Sequence, residues 1–534
     1  EMVVDAVPEK EALVCGDARC TYQQLEERAN RFAHFLQARG VQPGDHVGLY
    51  MYNCNEFLEA MWACFKIRAV PINVNYRYVE DELLYLFDNA DLVAVVHGRE
   101  FVPAIKHVAQ AAPKLHTYVA VEDGSNENLA AIEATEFEAA LANVSPQRDF
   151  EQRSADDLFI LYTGGTTGMP KGVMWPHKAI FYAAMNGGGH FHADGPCKVP
   201  EDIVSRATEG FYMVSMALAP LMHGACWWLA CIGALAGHTV VLNPGRTLQA
   251  DEVWDIVEKE KVNSMSFVGD AMGIPLMDAL QENPDRWDLS SVFNVGSGGA
   301  VFSTSLQDQF RERFPGVMIT NSFGSSESGQ MGSDSGQGGD GLGKVVKSEF
   351  MDVIVEATDT EDLHFVVPGS DEMGIFSRCG HIPLGYYNDP EKTAKTFVDL
   401  DGKRWLLTGD EAKIDAEGNI TVYGRGSNCI NSGGEKIFPE EVEQAIKSHP
   451  SVFDTLVVAT PDPRFTNKVT AVVQLRAGTT LDLTELQEHC REHISGYKLP
   501  RELHLTKEIG RAPSGKPNYK WAKEVALGGT CLAS

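Results

Sequence analysis

The sequence predicts an α/β protein with a large N-terminal domain of mixed and parallel sheets flanked by helices, followed by a small C-terminal α+β domain. Three observations predict it. Short apolar runs ending in glycine alternate with amphipathic helical stretches, the pattern of parallel or mixed sheets covered by helices. The length of 534 residues exceeds what a single core usually serves. Around Gly424 the character changes: a small, polar tract (Gly424-Arg425-Gly426-Ser427-Asn428) is followed by a compact segment of roughly 100 residues with helices and strands of its own.

The first helix is predicted over 22–39. Thr21 can cap it, Gln24 can complete a capping box, Leu25, Ala29, Phe32 and Leu36 recur at helical spacing, and Gly40 stops it. A strand follows from Gly44-Asp45-His46-Val47. Another is predicted over 158–162, and further strands over 239–242, 264–268, 292–295 and 317–320, with helices over 252–260 and 305–314 between them. Residues 186–210 are polar and glycine-rich and read as a mobile loop. Residues 211–237 carry no charge with His223 neutral and are long enough to span a bilayer, but Ser215, Pro220 and His223 interrupt them. They read as a strand, a turn and a buried helix, so no integral membrane span is expected. In the C-terminal segment, helices are predicted over 440–448 and 483–494 and strands over 455–459 and 469–475, and a frayed tail after Leu527.

Composition narrows the function classes. The formal net charge of −29 argues against a nucleic-acid partner, because a phosphate backbone needs a basic surface. Anionic small molecules remain open, since one local basic island suffices for them. The eleven cysteines are scattered without a Cys-x-x-Cys pair, so neither a zinc site nor a disulfide framework is expected. A cytoplasmic protein with reduced thiols is the reading, with peripheral membrane association and a homodimer both left open.

One tract carries most of the chemistry. The apolar run 158–162 feeds into Thr163-Gly164-Gly165-Thr166-Thr167-Gly168-Met169-Pro170-Lys171. Glycines let the backbone approach a ligand, while hydroxyls, amides and an ammonium offer donors to phosphate oxygens. It is a polyphosphate cradle but not a Walker loop, because Pro170 separates Lys171 from Gly168. Further tracts follow: Gly298-Gly299-Ala300 at a strand end, Phe323-Gly324-Ser325-Ser326-Glu327 after a strand, Leu407-Thr408-Gly409-Asp410 ending another strand, Gly424-Arg425 closing a hairpin, and Gly515-Lys516 in a loop.

In this order and over nearly the full chain, these tracts resemble the AMP-forming adenylate synthetases, the superfamily of acyl-CoA ligases, luciferases and peptide-synthetase adenylation domains. The resemblance implies a reaction with ATP, Mg²⁺ and CoA. Thr163 to Gly168 and Lys171 would hold the phosphates, and Gly298, Gly299 and Ala300 would wall off the adenine. Phe323, Gly324, Ser325 and Ser326 would line the nucleotide site. Glu327 would hold the metal, with Thr166. Asp410 and Arg425 would grip the ribose, and His223 would stand beside the carboxylate. Lys516 would be the catalytic lysine, carried to the α-phosphate by a mobile lid. Ser432, Gly433 and Gly434 would line a pantetheine tunnel in the other lid orientation. The implied division is 1–424 for the nucleotide- and acyl-binding domain, 425–430 for a hinge and 431–534 for the lid. Relatives commonly carry Asp or Lys at the hinge position held here by Ser427.

No charged residue stands in 211–237 to pair a substrate amine, and Ala225, Cys226, Trp227, Trp228 and Ala230 suit an apolar acyl group. The tracts 69–78, 268–272 and 424–427 look like those of actinobacterial lipid acyl-CoA ligases. The expected substrate is therefore a large lipid acid, either a sterol side-chain acid or a long-chain fatty acid. Transfer to an acyl carrier protein, or non-catalytic binding of an acyl nucleotide, stand as the alternatives.

Overall fold

In the computed structural model, the structure describes every residue except 79, 166–167, 186, 188–191, 193–194, 301, 335–343, 358–361, 433–434, 463–464, 512–514 and 529–534. The side chains of Arg425, Ser427, Asn431, Glu435 and Lys436 also fall outside the description. The calls on Thr166, Thr167, Gly433, Gly434 and the end of the tail therefore lie outside the described residues. So do the side-chain calls on Arg425 and Ser427.

Among the described residues the large N-terminal part holds three sheets. One runs Gly329–Asp334, Met318–Ser325, Asn294–Gly298, Ser264–Phe267, Val214–Ala217, Thr239–Leu242, Glu11–Cys15, Ala18–Thr21. Its interior pairings are parallel. The second carries the phosphate tract at one side: Gly385–Tyr386 pairs with Gly168–Pro176, which pairs with Leu158–Gly165, beyond which the strands are parallel. The third is antiparallel and contains Lys403–Ile414 and Asn419–Arg425. The C-terminal part packs the helix Pro439–Lys447 on the strands Val452–Asp462, Thr466–Leu475 and Glu502–Thr506 around an apolar core that includes Ile437, Val442, Val457 and Val473, and the helix Tyr519–Ala526 against a second cluster with Leu456, Val458 and Val472.

The predicted first helix forms over Tyr22–Ala38. Its Thr21–Gln24 capping box is complete, which satisfies two otherwise orphaned backbone donors. The uncharged stretch becomes the strand Val214–Ala217, a turn and the helix Gly224–Leu235; no described helix is long and apolar enough to cross a membrane. No disulfide joins the described cysteines.

Several boundaries differ from expectation. The strand predicted over 317–320 runs Met318–Ser325, and the one over 292–295 runs Asn294–Gly298, because their glycine-bearing ends still pair with each other, Gly298 opposite Ser322. The Phe323–Ser325 part of its motif thus lies within a strand rather than after one. Asp410 likewise sits inside Lys403–Ile414 rather than at a strand end. Within the stretch read as a mobile loop, Ile203–Glu209 is a helix: Pro200 and Asp202 precede it and Gly210 ends it. The helix predicted over 483–494 stops at Cys490.

Candidate active site

The phosphate tract is a hairpin. Thr163 pairs with Lys171 and Gly165 with Gly168, with an irregularity between Thr163 and Gly165 where the two strands part. Antiparallel pairing places Lys171 one strand away from the edge pair Gly385–Tyr386, since Tyr386 lies opposite Val173. The Lys171 ammonium is ion-paired with Asp389, whose carboxyl it holds below the usual range, and lies 6.0 Å from the centre of the Tyr386 ring. The Tyr386 hydroxyl donates to Glu327 at 2.9 Å. Fully buried Trp175, on the second strand of the hairpin, donates its indole N–H to the Ser326 carbonyl at 2.8 Å. The structure thus gathers Lys171 and Glu327 about one tyrosine and ties the Ser326 turn to the phosphate hairpin.

The glycines of the neighbouring motifs have steric reasons. A Cβ on Gly324 would stand 2.0 Å from the Gly329 carbonyl oxygen, and one on Gly298 would stand 3.2 Å from that of Ser322. Gly299 has φ +82°, a region glycine enters without strain. Ser325 and buried Ser328 bond reciprocally, amide to hydroxyl, at 2.9 and 3.1 Å, which fixes the turn leading to Glu327.

His223 precedes the helix Gly224–Leu235 in a turn held by its own amide on the Pro220 carbonyl (3.0 Å) and by Asn53 on the Leu221 amide (2.7 Å). Burial first, then the positive charges of Lys516 and Arg77, push its pKa down to about 3, so the imidazole is neutral. Its Nε2 is buried and has no hydrogen-bond partner among the described residues. Asn73 joins this turn to the hairpin: its Nδ2 donates to the carbonyls of Tyr162 (2.8 Å) and Met222 (2.7 Å), and its Oδ1 accepts from the Tyr162 amide (2.7 Å).

These elements surround a cavity of about 440 Å³. At one end it is lined by Thr163, Gly298, Gly299, Phe323, Gly324, Ser325, Ser326, His223 and Lys516. Beyond them it runs between a sheet face and a helix face. Alternation along parallel strands puts small side chains in rows on the sheet face: Ser215, Ser264 and Asn294 in one, then Ala217, Ser266, Gly296 and Thr320, then Gly298 and Ser322. Ala225, Trp228, Leu229 and Ile232 face them at helical spacing. Gly233 lets the helix lie close, since a Cβ there would stand 2.7 Å from Val240. The row of Ser264 and Asn294 is internally bonded, Asn294 donating to Ser264 at 2.8 Å and Thr320 to Asn294 at 2.7 Å.

Some expected residues are placed apart from this cavity. Ala300 packs against the core instead of lining it. Asp410, paired across the hairpin with Arg425 and bonded through its amide to Thr408 at 3.1 Å, is half-buried outside the lining. Ser432 is buried on the strand Ile430–Ser432. Sequence reasoning missed the roles of Asn73, Trp175, Tyr386 and Asp389, whose partners lie 59 to 218 positions away.

Comparison with known proteins gives a consistent picture. A 3-oxocholest-4-en-26-oate–CoA ligase of Rhodococcus rhodochrous is 46% identical over 530 residues, covering 98% of this chain and 94% of that protein. A medium/long-chain-fatty-acid–CoA/3-oxocholest-4-en-26-oate–CoA ligase of Mycolicibacterium smegmatis is 46% identical over 531 residues, covering 98% and 95%. The crystal structure of the anthranilate CoA ligase AuaEII in complex with anthranoyl-AMP superposes with a TM-score of 0.79 at 24% identity, covering 98% of this chain and 97% of that one. Residues 1–369 match the family model of the AMP-binding enzymes and residues 441–516 that of the AMP-binding enzyme C-terminal domain, and the chain belongs to this family.

Proposed function

We propose that the protein is an ATP-dependent, AMP-forming acyl-CoA ligase that activates a large lipid carboxylic acid, a sterol side-chain acid or a long-chain fatty acid. A carboxylate oxygen attacks the α-phosphorus of ATP, the bond to the β-phosphate oxygen breaks, and pyrophosphate leaves. The CoA thiol then attacks the acyl carbon, loses its proton, and displaces AMP. The observation that carries this reading is the cavity of about 440 Å³. Its glycine-walled end bears Phe323, Lys516 and neutral His223, and its body lies between small sheet residues and an apolar helix face.

The residues divide the work. Lys171, drawn from Asp389 to phosphate, and Lys516 stabilise the charge that builds on phosphate oxygens as the α-phosphorus is attacked. Neutral His223 offers the carboxylate a hydrogen bond without competing as a cation. Asp410 and Arg425 are proposed to hold the ribose. The donor set fits Mg²⁺: Glu327 supplies one carboxylate beside the phosphate hairpin, and Mg²⁺ takes most of its remaining ligands from phosphates and water. When bound, it neutralises phosphate charge. Residues 431–534 are proposed to act as a lid about a hinge at 425–430, with Ser432 and its neighbours facing CoA in the second orientation. The site is proposed to operate in the cytoplasm.

The test is a CoA-dependent AMP-release screen across fatty acids and sterol acids, with pyrophosphate–ATP exchange as the first readout. Failure of exchange with every acid refutes the reading. Lys516→Ala should lower adenylate formation by ~10²–10³ and spare thioester formation from supplied acyl-adenylate.

A further inference from the structure

A line of buried, alternating charges joins the two parts of the molecule and ends beside Lys516. Asp270, in the first turn of the helix Gly269–Glu282 in the large part, is 1% exposed. Its Oδ1 accepts from the Ser303 amide at 2.8 Å, and its Oδ2 lies 3.1 Å from the ammonium of Lys447, at the end of the helix Pro439–Lys447 in the small part. Lys447 lies 3.4 Å from Asp454. Arg511 grips Asp454 with two parallel bonds of 2.7 and 2.8 Å, and its third nitrogen donates to the Gly515 carbonyl at 3.0 Å. A backbone bridge joins Arg511 and Pro517 on either side of Lys516, and a Cβ on Gly515 would stand 3.4 Å from Val268, two residues before Asp270.

Burial works against the Lys447 ammonium, but Asp270 first and then Asp454 outweigh it and hold its pKa above the usual lysine value. Three of the charges in this line, Lys447, Asp454 and Arg511, belong to the small part and would travel with it. Only Asp270 belongs to the large part. The Asp270–Lys447 contact therefore exists in this orientation alone, and in any other the two charges must part. A buried ion pair contributes little net stability, yet it discriminates sharply among alternative packings, because a buried charge without its partner is costly.

We propose that Asp270 is a positioning residue for the adenylation step: through Lys447, Asp454 and Arg511 it sets where the small part docks and so where Lys516 stands. This rests on the ligase reading above. It assigns a role to no atom that touches substrate. It predicts a split between half-reactions that a merely structural residue would not produce.

The experiment measures both half-reactions separately in full-length enzyme: pyrophosphate–ATP exchange for adenylation, and thioester formation from supplied acyl-adenylate and CoA. Asp270→Asn keeps the acceptor for the Ser303 amide and removes the charge. It should slow exchange by about 10², the cost of a catalytic group displaced by about 1 Å, and leave thioester formation within about twofold. Arg511→Lys keeps the charge but loses the fork to Asp454 and Gly515, and should show the same split. It carries the test if Asp270→Asn does not fold. Asp278→Asn breaks the more exposed inter-part pair Arg476–Asp278 (3.0 Å) and should change neither half-reaction by more than about threefold. Equal loss in both half-reactions, or loss in neither, overturns the positioning role. Absence of exchange in the wild-type enzyme would instead overturn the ligase reading.

Discussion

Replacing Ser266 by leucine should shorten the acids this enzyme accepts. Ser266 stands in the middle row of the sheet face, level with Ala217 and Gly296. The crowding is close there: a Cβ on Gly296 would lie 2.7 Å from the Ser266 hydroxyl. Leucine would fill the channel at this level and cut off the row of Ser215, Ser264 and Asn294, two residues further down each strand, or about 7 Å. An extended acyl chain loses roughly five methylenes of burial over that distance. At ~0.8 kcal/mol each, this is ~4 kcal/mol, or about 10³ in kcat/KM for an acid long enough to use the lower row. An acid that ends at or above Ser266 should lose less than about threefold. The assay is kcat/KM for CoA-dependent AMP release over a series of saturated acids of rising length, together with a sterol acid. A loss of the same factor at every length, or none at any length, would refute the placement of the acyl chain on this sheet face.

Asp410→Ala should raise KM for ATP by about 10–150-fold while leaving KM for the acid unchanged, since a charge-assisted bond to a ribose hydroxyl contributes ~1.5–3 kcal/mol; steady-state kinetics in both substrates would check it. His223, with a folded pKa of about 3, stays neutral where the unfolded chain takes up a proton near 6.5. Stability is therefore intact above the unfolded value and lost as pH falls from there toward 3, by at most ~1.4 kcal/mol per pH unit, and His223→Gln should flatten that slope in denaturant titrations. Glu440 behaves oppositely: burial first, then Glu443, raise its pKa to about 8, so the folded protein keeps a proton that the unfolded chain releases near 4.5. Its contribution is full below 4.5 and lost as pH rises toward 8. Glu440→Gln should thus stabilise the protein by up to ~3 kcal/mol near pH 7 and by much less near pH 5 in thermal melts.

What the sequence made legible was local. The Thr21–Gln24 capping box and the apolar runs that became strands each depend on neighbours a few positions away. The glycine and hydroxyl tracts were visible for the same reason, since each is a run of consecutive residues. Strand ends were placed too early at Val295 and Thr320: the strands run on to Gly298 and Ser325, because a paired neighbour supplies the hydrogen bonds that local propensity does not foresee. The supporting groups were invisible because their partners are distant: Asn73 lies 89 positions from Tyr162, and Lys171 lies 218 from Asp389. Nothing in Trp175 announces that its indole will hold Ser326. Lys447 and Asp270 lie 177 positions apart, and only packing of the two parts makes them buried partners.

The acid excess takes on a meaning here that bulk charge could not convey. A chain with 74 acidic and 45 basic side chains should repel ATP and CoA. Yet several cations in and behind the site are set against a carboxylate: Lys171 on Asp389, Lys447 between Asp270 and Asp454, Arg511 on Asp454. A lysine held by an acid is already desolvated and oriented, so the nucleotide need only displace one counter-ion rather than order a flexible chain. Where the carboxylate is buried and cannot be displaced, as with Asp454, it serves to aim the cation and the loop behind it. Where it is half-exposed, as with Asp389, it can yield to phosphate. The distribution of acids between these two burial states, more than their number, determines which positive groups are structural and which are available for chemistry.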